Sequence, residues 1–113
     1  MTDPAKMMKA RLRADLKIAM QAKHAAETQA IRNLLAAIDN AEAVPIAEQR
    51  GNGGDGATEM PRMALSDAEL QALLLREAGD RAKAADEMQR LGCDDRAEML
   101  RVEGGIVTRY IGG

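Results

Sequence analysis

The stretch LKIAMQAKHAAETQAIRNLLAAI, Leu16 to Ile38, holds the end of one apolar stripe, a short break, and a second stripe. Met8, Leu12, Leu16, Ala19 and Met20 recur at three- and four-residue steps, the signature of one face of an amphipathic helix. The pattern runs to about Lys23 and resumes near Ala25, with Ile31, Leu34, Leu35 and Ile38 on the new face. Each stripe needs a partner to leave water, and so short a break leaves only an antiparallel helical hairpin. Upstream, Asp3 is a predicted N-cap, with Pro4 at the first helical position, where its missing N–H does no harm.

The second half repeats the scheme. In LSDAEL, Leu65 to Leu70, Ser66 can cap, Glu69 can reach back to it, and Leu65 and Leu70 are spaced as a hydrophobic staple. Leu70, Leu74, Ala78, Ala82, Ala85, Met88 and Leu91 then carry a helix from Ser66 to Leu91, roughly 39 Å long. Gly92 is its predicted stop. Asp94 or Asp95 is the expected cap of a fourth helix, in which Ala97, Leu100, Gly104, Val107 and Ile111 form a seven-residue repeat. Gly104-Gly105 is its expected weak point, each glycine costing about 1 kcal/mol relative to Ala. Between the halves, Pro45 and Pro61 bracket RGNGGDGATE, with four glycines between Gly51 and Gly56. Such a stretch buries too little to offset its ordering entropy, so residues 43–64 are predicted to be a mobile loop. The expected fold is all-α, one domain over 1–113: a hairpin over 1–42, the loop, and a hairpin over 65–113.

Composition agrees. The chain has 113 residues, 46% of them hydrophobic, no Phe or Trp, and one Tyr. Ala, Leu, Met and Ile favour helix and close helix packing, with modest stability. The net charge of −2 excludes a generally basic, DNA-coating protein. Residues 1–40 nonetheless carry seven basic and four acidic groups, whereas 65–113 carry seven and ten. The first hairpin is therefore the better candidate for meeting an anion. Cys93 stands alone, which suits a reducing compartment. The N-terminus has no apolar signal region, and no run approaches the ~20 residues of a membrane span. A cytoplasmic, membrane-free protein is expected.

Catalytic signals are absent at this level. GNGGDG lacks the Gly-Lys-Ser/Thr of a phosphate-cradling loop. His24 has no second ligand for zinc, and reads as a solvated turn residue. Cys93 has no partner His. Glu77 with Arg81, and Asp86 with Arg90, read as i,i+4 pairs on solvated faces. The scattered methionines read as core filler. No cofactor or metal is expected. Lys9, Arg13 and Lys17 on the first helix, with Arg32 on the second, form the candidate anion-binding face. Without an aromatic platform, any RNA contact runs through shape and phosphate.

Taken together, LKIAMQAK (16–23), IRNLLAAIDNAE (31–42), LSDAEL, REAGDR (76–81), GCDD (92–95) and the closing YIGG resemble the YqeY family, also called the GatB/YqeY domain. The resemblance runs without a gap from Leu65 to Ile111. It implies a helical module related to the tail domain of the B subunit of the glutamine-dependent tRNA amidotransferase, where that tail helps hold tRNA and amide transfer occurs elsewhere. Carbon–nitrogen ligase activity, with glutamine as amide donor, is implied by kinship alone, and no catalytic residue carries over. Arg76 and Arg81 of REAGDR join the candidate nucleic-acid contacts. Three departures bear on this: Asp39 replaces a frequent Lys, Gly79 and Asp80 thin a basic run, and His24 replaces a better-capping Asp. Full-length relatives continue past this point into a small helical subdomain. The expected partners are tRNA or an amidotransferase-like assembly; the alternative is a homodimer or other helical interaction with no nucleic-acid role.

Overall fold

The computed structural model describes residues 3–43 and 64–112, and the predicted mobile loop lies almost wholly outside them. Among the described residues there are four helices and no strand: α1 Pro4–Gln21, α2 Ala25–Glu42, α3 Asp67–Arg90 and α4 Asp94–Thr108. The all-α expectation holds. Local chemistry sets the ends. Asp3 Oδ1 accepts from the amides of Ala5 (3.0 Å) and Lys6 (3.3 Å). Ser66 and Glu69 close a reciprocal capping box, each side chain accepting from the other's amide. The cap of α4 is Cys93, with Asp94 and Asp95 inside the first turn, where their charge complements the helix dipole.

The two hairpin turns are built alike. Both α1 and α3 end in a Schellman motif: His24 N–H donates to Ala19 O and Lys23 N–H to Met20 O, as Cys93 does to Met88 O and Gly92 to Gln89 O. Each needs a left-handed residue. Gly92 supplies it at φ +82°, whereas Lys23 is held there at φ +61°. A side chain pays for that conformation, so Lys23→Gly should stabilise the chain by about 0.5 kcal/mol after the extra unfolded-state freedom of glycine is subtracted. Urea melts of the two proteins check it.

The hairpins pack against each other chiefly through α2 and α4. The main core joins Met8 and Leu12 of α1, Ile31, Leu34 and Ile38 of α2, Leu70, Leu73 and Leu74 of α3, and Val107 and Tyr110 from the end of α4. A separate small cluster, Ala85, Ala97 and Leu100, belongs to α3 and α4 alone. The second hairpin thus extends beyond the first as an arm, in a molecule measuring 49 × 32 × 25 Å.

Several expected core positions are corrected. Met20 and Leu91 are exposed, because the seam ends before them. Ala82 is exposed, and the core phase passes through Arg81 instead. Glu77 does pair with Arg81 at 2.9 Å, but Arg90 pairs with Glu87, and Asp86 meets Arg101 across the hairpin at 3.3 Å. The helix runs unbroken through Gly104-Gly105 to Thr108. A methyl group on Gly104 would sit 3.7 Å from Arg81 Cβ, an ordinary packing distance between α4 and α3.

Candidate functional site

Seven cations and five acids fall between Asp3 and Glu42, and the fold treats them differently. Every acid is turned to an internal partner. Asp3 caps α1. Asp15 accepts from the Tyr110 hydroxyl at 2.5 Å. Glu27 accepts from Arg109 at 2.7 Å, and that guanidinium holds its carboxyl below the usual range. Asp39 and Glu42 both accept from Lys9 Nζ, at 3.1 and 2.6 Å. Among the cations, only Lys9 is consumed this way. Lys6, Arg13, Lys17 and Lys23 are exposed and make no ion pair with a described residue. Lys6, Arg13 and Lys17 lie within roughly 40° of one another around α1 at about 3.6 residues per turn. Arg32 reaches across from α2, its Nη2 3.7 Å from Met20 Sδ. The outer face of the first hairpin therefore carries cations with no ion-pair partner among the described residues, while each acid, the 46% exposed Asp39 included, is engaged by a partner of its own.

The six candidate contacts divide accordingly. Arg13, Lys17 and Arg32 stand exposed on the first hairpin; Arg76 is exposed on α3. Lys9 is mostly buried. Its hydrogen bond to Glu42 raises its pKa above the ordinary 10.5, against the opposing effect of desolvation. A raised lysine contributes stability that is complete below pH 10.5 and is lost as pH rises through the folded value. Lys9→Met should therefore be less stable than the parent at pH 7, with the gap closing above pH 10.5 in paired urea melts. Arg81 is buried in the second hairpin. Its Nη1 donates to the Glu77 carbonyl (3.0 Å) and carboxylate, and its Nε lies 3.6 Å from Glu103 Oε1.

Sequence reasoning missed Glu103, although it lies three residues after Leu100 and four before Val107, in core phase. It also gave no role to Tyr110, whose ring lies under the Arg11 guanidinium at 4.6 Å. His24 is exposed, as expected of a turn residue, with Nδ1 3.6 Å from Glu27. Among the described residues no group of His, Cys, Asp or Glu is placed to hold a metal ion, and no helix is long and apolar enough to cross a membrane. A hollow of about 500 Å³ between the starts of α1 and α3 is lined by Met7, Met8 and Leu70, with Arg11 and Asp67 as the charged groups among the described residues that line it.

A family model described as Yqey-like protein matches residues 9–112, nearly the whole chain. The chain belongs to the YqeY family. No curated protein and no solved structure matches it. For this YqeY chain, the matched span contains α1 from Lys9 onward, all of α2, α3 and α4, and every candidate contact from Lys9 to Arg81.

Proposed function

We propose that this YqeY-family chain is an accessory binding module that docks tRNA on the cationic outer face of the α1–α2 hairpin, in the service of an amidotransferase-like assembly. The observation that supports this reading is the asymmetry of the hairpin: each of its acids is engaged by a partner, while Arg13, Lys17 and Arg32 are exposed and make no ion pair with a described residue. Contacts of this kind address phosphate, position the RNA by shape, and carry no base code. The carbon–nitrogen ligase chemistry implied by kinship belongs, in this reading, to the partner enzyme.

Binding of tRNA should weaken steeply with salt as counterions are released, each phosphate contact adding about −0.7 to −0.9 to the slope of log K against log salt. Arg13→Ala, Lys17→Ala and Arg32→Ala combined should flatten that slope by about two units. All three side chains are exposed, so the thermal melt should be nearly unchanged. Absence of binding at low salt, or a triple variant with the parental slope, overturns the reading.

A further inference from the structure

Between α2 and α4 lies a groove of about 370 Å³ lined by Ala25, Gln29, Asn33, Arg96, Met99 and Glu103. A second hollow of about 380 Å³ shares Ala25 and Gln29 with it and adds Met20, Lys23 and Arg32. The two hollows have Ala25 and Gln29 as a common wall, one on the α4 side of α2 and one on the α1 side, and together they are called the trough. Arg13 and Lys17 line neither part, so this surface is separate from most of the tRNA face.

Three features define what fits. On the floor, Glu103 is 4% exposed, and its nearest cation, Arg81 Nε, stands at 3.6 Å, too far for a hydrogen bond. Arg81 Nε itself finds no acceptor. The Glu103 carboxylate thus accepts no hydrogen bond from a described residue, and a donor entering the groove supplies one. On the rim, Arg96 and Lys23 make no ion pair with a described residue, and Arg32 meets only a thioether. Along the length, Met20 and Met99 are 48% and 41% exposed, the soft apolar surface that adapts to a bound chain. The Gln29 and Asn33 amides bond to each other at 3.1 Å.

We propose that this trough docks an acidic, amphipathic segment of a protein partner. Such a segment brings N–H donors to Glu103, carboxylates to Arg96, Lys23 and Arg32, and apolar side chains to the two methionines. A phosphate backbone brings acceptors only, meets the Glu103 carboxylate unfavourably and gains nothing from the thioethers. The charge and the apolar surface of the trough are thus complementary to a polypeptide.

The test is selection of peptides from a random display library on the immobilised full chain, followed by amide-resolved NMR titration of the selected peptides. The expected winners interleave Asp or Glu with Leu, Met or Ile, and shift the amides of Ala25, Gln29, Asn33 and Met99. Arg96→Glu should weaken them roughly tenfold and favour their Lys-substituted versions. Met99→Asp should weaken both kinds. Arg13→Ala with Lys17→Ala should leave peptide affinity unchanged while weakening tRNA, which separates this proposal from the tRNA reading. It is overturned if no peptide is selected, if the winners are basic or bind elsewhere, or if tRNA is what shifts these amides and Arg96→Glu abolishes that shift.

Discussion

Tyr110→Ala is expected to lower stability by about 3–5 kcal/mol, a large share of what a small domain possesses. Tyr110 is the largest fully buried side chain and the only aromatic, and it belongs to the main core although it lies just beyond α4. Its ring sits against Arg11, its hydroxyl donates to Asp15, and the neighbouring Arg109 holds Glu27. One turn of chain therefore ties the end of α4 to both helices of the first hairpin. Tyr110→Phe keeps the packing and removes only the hydroxyl, so it should cost about 1–2 kcal/mol. The lone tyrosine also reports on itself. Burial first, and then the hydrogen bond to Asp15, push its hydroxyl well above the ordinary 10.0. That contribution is complete below pH 10 and is lost as pH rises towards the folded value. Phenolate absorbance should consequently stay flat past pH 10 and appear together with loss of helical circular dichroism. Phenolate forming at the ordinary value in a folded chain would show that the side chain is not held as described.

Helix positions were legible because caps and apolar spacing are local. Asp3, Ser66 and Gly92 each mark an end by chemistry confined to a few residues. The faces were less legible, and the reason is geometric. Each four-residue step advances about 40° around a helix, so a stripe traced through Leu70, Leu74, Ala78 and Ala82 drifts off the buried side. The true face returns by a three-residue step, from Leu74 to Glu77, and then goes on through Arg81 to Ala85. The same drift put Gly104 where Glu103 belongs. Met20 and Leu91 keep phase but outrun the helix that would cover them, and a stripe carries no record of where its partner ends.

The candidate site shows the complementary limit. That the first hairpin is the cationic one could be read from residue counts. Which cations remain available could not, because Lys9 is bonded to carboxylates 30 and 33 residues away. Only folding brings Asp39 and Glu42 to it. Arg13 and Lys17, one and two turns further along α1, make no ion pair with a described acid.

Arg81→Ala should cost about 3–5 kcal/mol by leaving Glu103 buried without its cation. The loss is expected at the arm, since Arg81 binds Glu77 within α3 and faces Glu103 on α4. A solvated arginine of the REAGDR stretch would instead change stability by less than about 0.5 kcal/mol, so the melt alone separates a structural from an RNA-contacting role. The imperfect geometry sharpens the prediction. With Arg81 Nε lacking an acceptor and Glu103 out of hydrogen-bond range, the pair offsets its own desolvation poorly. Removing both charges, as Arg81→Met with Glu103→Leu, should therefore recover most of the loss and can exceed the parent. A double variant as unstable as the single one would show that the damage comes from lost packing of the arginine stem rather than from an abandoned carboxylate. The tRNA slope should be unchanged in the double variant, since the buried guanidinium has no face to offer a phosphate.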